Sequence, residues 1–376
     1  TQVTVVGHTQ SECISNRGGS HNIYKNLTMR DGMAIGFYLV NGSNNLVLNC
    51  DSYNNYDTVS DGGLGGNVDG FGGHPNAPNH SGNVFKGCRA WYNSDDGFDL
   101  ISSHSAYKIE NCWAFYNGYR PGTFTSAGDG SGFKAGGYGM GATPNVPSAI
   151  PVHIVKNCIA YYNKNKGFYA NHHLGGIIWE NNTGYRNPSN FCMLNRKSAS
   201  ETVDVPGYRH IIKNNISFMP RSSEQHIVDV NLAACLVENN SFYPTAYTLS
   251  SQDFISLDET LLMAPRNANG SLPDIDFLKL KSSSQLSGLN MGYAYTHLSN
   301  PPHNSSKAWL LDAAIDVTDG HARVVGPGAN SYVRFFVNGQ EVDFSKKLVN
   351  LSVYNGQLTL EAISTTGSKT RLTTHK

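Results

Sequence analysis

Asp69, Asp95, Asp96, Asp99 and Lys134 are the residues of this chain whose types and spacing could do chemistry. Asn93-Ser94-Asp95-Asp96-Gly97-Phe98-Asp99 offers three carboxylates within five residues, and Asp69 stands before another Gly-Phe pair. Carboxylate oxygens at that density suit Ca²⁺, which takes about six to eight oxygen ligands. The spacing is not that of an EF-hand loop. Without a cation, carboxylates brought close together repel and one must take up a proton. Lys134, in Gly132-Phe133-Lys134, is a candidate general base if a neighbouring cation depresses its pKa. The same ion would bind a substrate carboxylate and acidify the carbon hydrogen beside it. That combination favours β-elimination of a uronic-acid polymer. Hydrolysis would want two carboxylates flanking one bond, with no need for the lysine. The plainer readings of the same residues are a solvated acidic turn and a surface lysine paired with Asp99.

An internal repeat is what could bring these residues together. A short apolar run, a polar pair, a small residue and aromatics recur, as in Asn111-Cys112-Trp113-Ala114-Phe115-Tyr116-Asn117 and Asn157-Cys158-Ile159-Ala160-Tyr161-Tyr162-Asn163. The second residue of the pair stands at 26, 50, 88, 112, 158, 182, 215 and 239; four of the intervals are 24 residues and the others 38, 46 and 33. A period in the twenties with no helical pattern between the runs predicts a parallel β-helix. A second column agrees: Gly-Phe recurs at 36–37, 70–71, 97–98, 132–133 and 167–168. Side chains alternate faces along a strand, so the phenylalanines stack inside and Tyr38, Gly72, Asp99, Lys134 and Tyr169 point out. The residues just before Gly-Phe are Ile35, Asp69, Asp96, Ser131 and Lys166. Asp69 is therefore expected to stack on Asp96, and Asp99 to lie one rung from Lys134.

The organisation along the chain follows from the repeat. Residues 1–250 carry the coils, interrupted by insertions at 60–82, 118–151 and 194–207 that should wall a groove. Residues 251–300 read as a tail packing along and capping the helix, and 301–376 as a β-rich extension with hairpin patterning. Cys50, Cys88, Cys112 and Cys158 share one column, continued by Asn182, Asn215 and Asn239. The column reads as an interior stack of small side chains and hydrogen-bonded amides, with no Cys-x-x-Cys zinc pattern. Asn171-His172-His173 is not read as a zinc site, because adjacent histidines on a strand face opposite ways. Charge is balanced, 28 basic against 28 acidic residues, which argues against nucleic acid as a partner. No apolar run is long enough to span a membrane. A monomer is expected. No signal peptide is read, so an N-terminal part is expected to be missing. The Asn-x-Ser/Thr matches at Asn26, Asn181, Asn215 and Asn239 lie inside the repeat columns and are not read as glycosylation sites.

Val68-Asp69-Gly70-Phe71, Asn93-Ser94-Asp95-Asp96-Gly97-Phe98-Asp99-Leu100 and Gly132-Phe133-Lys134 closely resemble polysaccharide lyase family 9. The resemblance covers about residues 20–290, including Pro265-Arg266 and Gly270-Ser271-Leu272-Pro273. It implies an all-β, right-handed parallel β-helix that cleaves a pectic polysaccharide, pectate or rhamnogalacturonan, by calcium-dependent β-elimination. It also implies Asp69, Asp95, Asp96 and Asp99 as Ca²⁺ ligands, Lys134 as the base, and a secreted, periplasmic or cell-surface location in a bacterium. The 60–82 insertion departs from the compact family pattern and, with the C-terminal extension, leaves the choice of backbone open. The extra loops suit a less uniform, bent chain, which leans the reading slightly towards rhamnogalacturonan. Lys166, Arg120 and Arg196 are candidate substrate-binding residues. Two other classes remain: a non-catalytic carbohydrate-binding or adhesive β-helix, and a glycoside hydrolase on the same fold.

Overall fold

The computed structural model describes residues 3–6, 11–139, 145–222, 225–295, 314–318, 321–325, 332–345, 348–365 and 369–375. Parts of the expected capping tail and C-terminal extension, at 296–313, lie outside the described residues. Three parallel sheets of eight strands each run the length of the coils, and successive coils add one short strand to every sheet. The first sheet runs from Val3–Val6 to Ile216–Phe218, the second from Ile14–Arg17 to Ile227–Val228, and the third from Ile23–Lys25 to Leu236–Glu238. This is the parallel β-helix the repeat predicts.

The corners explain the sequence pattern. Between the third and first sheets the chain turns through a left-handed residue, filled by Asn26, Asn49, Asn111, Asn157, Asn181, Asn214 and Asn239 at φ between 49° and 57°, and by Gly87 at 65°. Asparagine tolerates this conformation better than other side chains. The next residue points inward. Asn26 and Asn239 are therefore corner residues, and the inward column begins at Leu27, opposite Cys50, and ends at Asn240. The intervals at the two ends are accordingly 23 and 25 residues, which corrects the assignment of 26 and 239 to that column. Within it, Cys158 N–H donates to Asn182 Oδ1 at 3.0 Å, and the Nδ2 of Asn182 and Asn215 donates to the next Oδ1 at 3.1 and 2.9 Å. The seven cysteines are free.

Two more inward ladders appear. Asn55, Asn93, Asn117, Asn163 and Asn187 pass hydrogen bonds from rung to rung at 2.8–3.0 Å, between the first and second sheets, and Asn190 of the same coil accepts from Asn187 at 3.0 Å. Asn22, Asn45 and Asn83 do the same before the third sheet, and His153 and His210 continue that column. Each buried amide thereby satisfies backbone donors that an apolar side chain would leave bare. Phe71, Phe98, Phe133, Phe168 and Phe191 stack inside with ring centroids 4.8–5.1 Å apart. The glycine before each of the first four is required by close approach: a Cβ on Gly97 would sit 2.6 Å from Gly132 O and 2.9 Å from Ala114 Cβ; before Phe191 the position is filled by Asn190.

The outer face of the first sheet is covered. Trp113, Phe115, Tyr161, Tyr185 and Phe218 pack against Phe254, Leu262, Phe277 and Leu286 of the following segment. Asp51 anchors that segment, accepting from Arg89 at 2.8 Å and from Arg266 at 2.7 Å. Residues 314–375 contribute a three-stranded and a four-stranded antiparallel sheet with their own apolar core. Arg323 docks on the coils through both oxygens of Glu180, at 2.9 and 2.7 Å. Among the described residues no helix is long and apolar enough to cross a membrane.

Candidate active site

The second sheet presents one outward residue per rung beside the inward phenylalanines. The register pairs Tyr38 with Gly72, Gly72 with Asp99, Asp99 with Lys134, Lys134 with Tyr169 and Tyr169 with Cys192. Just before this strand, Asp96 N–H donates to Asp69 Oδ1 at 3.1 Å and Ser131 N–H donates to Asp96 Oδ1 at 2.5 Å. Ile101 N–H donates to Asp99 Oδ1 at 2.7 Å. Each of the three carboxylates is thus fixed by a backbone donor. One oxygen from each of Asp69, Asp96 and Asp99 lies within 4.8 Å of the others, and all three side chains are buried.

Lys134 Nζ closes this trio, 3.0 Å from Asp96 Oδ2 and 3.1 Å from Asp99 Oδ2. Asp96 Oδ2 is buried and has no aligned hydrogen-bond donor. Burial is the main force on the carboxyl groups. It pushes Asp96 up to about 8, against the pull of Lys134 and with the repulsion of Asp95 and Asp99. It raises Asp69 well above the usual range, helped by Asp99, Asp95 and Asp96. Burial opposes the charge on Lys134 too, but the surrounding carboxylates outweigh it and hold the ammonium well above the ordinary lysine range. In the bare site burial and mutual repulsion therefore favour the protonated forms of Asp69 and Asp96, and a cation at their focus would take the place of those protons. Three buried carboxylates whose hard oxygens converge on a shared focus are what a divalent cation such as Ca²⁺ fits.

Asp95 sits apart from the trio. Its Oδ2 accepts from Asn67 N–H and its Oδ1 from Asp129 N–H, both at 2.6 Å. It thereby ties the 60–82 and 118–151 insertions to the Asp95–Asp96 turn. Lys166 is half-buried with Nζ 4.8 Å from the Tyr169 ring centroid. Arg120 is exposed, its guanidinium 5.7 Å from the Tyr56 ring centroid.

Arg196 differs from the expectation for a substrate-binding residue. It is 0% exposed, with Nε donating to Glu201 O at 2.7 Å and NH1 to Gly139 O at 2.8 Å. It staples the hairpin of Asn195–Ser198 and Glu201–Val205 to the neighbouring insertion, and a sealed guanidinium cannot reach a polymer.

Sequence reasoning placed Tyr169 in the outward column but missed what stands behind it. Tyr169 Oη lies 3.0 Å from His172 Nε2, and His172 Nδ1 lies 2.5 Å from Asp204 Oδ1. His172 and His173 do part company, but through a left-handed turn at Asn171 and His172 rather than strand alternation. His173 is buried, with Nδ1 accepting from Gly137 N–H. Tyr38 and His74 make a second outward pair, in edge contact at 5.3 Å. Asp204 comes from the hairpin, 32 residues from its partner, and no local pattern announces that pairing.

Residues 1–218 match the family model described as Pel9A-like, right-handed β-helix region, and residues 231–371 match one described as rhamnogalacturonan lyase-like, C-terminal. Pectate lyase L of Dickeya chrysanthemi is 37% identical over 284 residues, covering 75% of this chain and 59% of its own length. Pectate lyase PEL9 of Emericella nidulans is 31% identical, covering 70% of this chain and 62% of its own. A solved rhamnogalacturonan lyase aligns with TM-score 0.72 and 56% identity over 77% of this chain and 70% of that one. The crystal structure of pectate lyase Pel9A aligns with TM-score 0.60 and 33% identity, over 75% and 63%. The chain spans about three fifths of the length of the curated relatives it matches.

Proposed function

The chain belongs to the Pel9A-like right-handed β-helix family, and on the geometry of its acidic centre we propose that it cleaves a galacturonic-acid-containing pectic backbone by calcium-dependent β-elimination. The observation that carries this is Lys134 Nζ at 3.0 and 3.1 Å from two of three converging, buried carboxylates. A binding solenoid needs no buried lysine there. A hydrolase wants carboxyl groups on both sides of a bond, whereas these converge on one point.

Asp69, Asp96 and Asp99 would hold the ion, with Asp95 joining only if it gives up a backbone bond. When bound, Ca²⁺ supplies neutralisation of the carboxylates and a Lewis-acid contact for the uronate carboxylate. Lys134, released from its double ion pair, takes the hydrogen at C5 as the neutral amine, and the bond to the C4 oxygen breaks. The backbone donors to Asp69, Asp96 and Asp99 keep the trio in place while this happens. Lys166, beside Tyr169, and the exposed Arg120 are the further candidates for binding neighbouring carboxylates. Rhamnogalacturonan I is the favoured backbone over pectate, supported by the 56% identity to a rhamnogalacturonan lyase against 31–37% for the pectate lyases compared above. A polymer too large to enter a cell places the protein outside the cytoplasm: secreted, periplasmic or at the cell surface.

The test is the ultraviolet absorbance of the unsaturated uronate end, which neither hydrolysis nor binding creates. The protein is given rhamnogalacturonan I backbone and polygalacturonate, each with calcium or with excess chelator. Product with calcium and none with chelator is expected, faster on rhamnogalacturonan I. No chromophore from either polymer in calcium would refute the reading.

A further inference from the structure

Tyr169, His172 and Asp204 form a linear chain of polar groups that ends at the outward face of the second sheet, on the rung next to Lys134. The three come from different places: Tyr169 from the strand Phe168–Tyr169, His172 from the turn after it, and Asp204 from the hairpin strand Glu201–Val205. The inner end is closed and the outer end open. Tyr169 is 8% exposed, whereas the Asp204 side chain is 42% exposed. Lys134 and Asp96 are near enough to act electrostatically on the phenol, and burial raises its pKa so that it stays protonated.

Tyr38, three rungs before Lys134, is another outward tyrosine paired with a histidine: His74 Nδ1 lies 3.4 Å from its hydroxyl, and His74 Nε2 is buried without a hydrogen-bond partner among the described residues. At Tyr169 the arrangement is directional. With Nδ1–H given to Asp204, His172 Nε2 can accept from the hydroxyl or, as imidazolium, donate to it. In the second state the hydroxyl hydrogen is free for a substrate oxygen, and Asp204 balances the imidazolium charge.

We propose that Tyr169, backed by His172 and Asp204, is the general acid that protonates the departing C4 oxygen while Lys134 removes the C5 hydrogen. This rests on the lyase reading above. Rungs are about 4.8 Å apart, comparable to the length of one sugar ring. A chain lying along the helix axis with C5 over Lys134 has its C4–O bond next to C5, directed towards an adjoining rung. Asp99 occupies one adjoining rung and is acidic and ion-paired; Tyr169 occupies the other and carries a proton.

The step balances. The C5 proton goes to the Lys134 amine, and the C5–H electron pair becomes the C4=C5 double bond. The C4–O pair leaves with the oxygen, which takes the Tyr169 proton. His172 reprotonates the phenolate. Water then returns a proton to His172 and accepts one from Lys134.

The test compares two substrates. One is the pectic polymer; the other is a galacturonide carrying 2,4-dinitrophenolate at C4, a leaving group that needs no proton. Wild type, Tyr169→Phe, Asp204→Asn and Lys134→Ala are assayed on both in calcium. A general acid contributes about 10²- to 10⁴-fold, so Tyr169→Phe should lose about that much kcat on the polymer with little change in KM. On the dinitrophenyl substrate it should turn over within a few-fold of wild type. Asp204→Asn, at an exposed side chain, should show a smaller loss of the same kind. Lys134→Ala should be slow on both substrates. A merely structural Tyr169 would slow both substrates alike, and that result, or full polymer activity in Tyr169→Phe, overturns the proposal while leaving the lyase reading intact. If wild type forms no unsaturated product from either substrate, both readings fall.

Discussion

The coils carry three buried histidines whose neutral form is written into the fold, and acid should loosen the protein through them. His153 Nδ1 accepts from Tyr107 N–H at 3.2 Å, His210 Nδ1 from Ile177 N–H at 3.0 Å, and His173 Nδ1 from Gly137 N–H at 3.2 Å. A protonated Nδ1 cannot accept, so protonation breaks each bond and buries a charge. Burial lowers His173 from 6.5 to about 4 and His210 from 6.5 to about 3, and lowers His153 still more clearly with help from His173. The folded chain therefore binds fewer protons than the unfolded chain between these values. The stability is complete above about pH 7 and drains away as pH falls from 6.5 towards 4. At pH 5 the loss is about 2 kcal/mol for each of His173 and His210, with His153 adding to it. At roughly 2 °C per kcal/mol for a chain of this size, His173 and His210 together should lower melting by about 8 °C between pH 8 and pH 5, and His153 should lower it further. Carboxylates held low by ion pairs, such as Glu110 at about 2, do not act in that window. Saturating calcium removes the contribution of the acid trio. The control is His153→Asn with His210→Asn, because Asn45 and Asn83 already fill the same column and keep an acceptor for the backbone donor. This variant should be less stable at pH 8, through lost packing, but should decline less towards pH 5, by about 4 °C or more. Parallel melting curves for wild type and variant would refute the reasoning.

Other outcomes follow from the site and its supports. Lys134→Ala and Lys134→Arg should each lower kcat on the polymer by about 10²-fold or more, since a guanidinium does not give up its proton; retention of a tenth of the wild-type rate by either would remove Lys134 as the base. Asp96→Asn should abolish the stabilisation that calcium gives in thermal melting while raising the melting temperature of the chelated protein at pH 8, because it removes a carboxyl group that burial pushes up to about 8. Asn117→Ala deletes a buried amide that donates to Ala90 O and Asn163 Oδ1 and accepts from Asn93, and should cost roughly 3 kcal/mol or more by denaturant titration, with the acid turn next to it affected. Arg196→Ala should lower melting through the loss of its bonds to Gly139 and Glu201, and a selective rise in KM without a stability change would restore it as a substrate-binding residue.

Much of this architecture was legible in the chain because a solenoid is a local code. Each rung repeats its neighbour, so Gly-Phe in five copies was enough to align Asp69 with Asp96 and Asp99 with Lys134, and the strand register agrees. The exact column was not legible at its ends. In Asn26-Leu27 and Asn239-Asn240 either residue could be read as the inward one, and only the left-handed φ of the first settles which turns the corner.

What the sequence determined by itself was the periodic part: the β-helix, the inward phenylalanines, the buried cysteine and asparagine columns, and the meeting of three acids with one lysine. Those follow from residue types at fixed intervals, because stacking converts sequence period directly into spatial neighbourhood. The tertiary structure decided what lies off that lattice. Asp95 spends both oxygens on backbone donors from two insertions, Arg196 is sealed beneath a hairpin, and Asp204 reaches His172 from that hairpin. Insertions obey no period, so where their backbone folds back onto the coils is set by long-range hydrogen bonds that no spacing in the chain records.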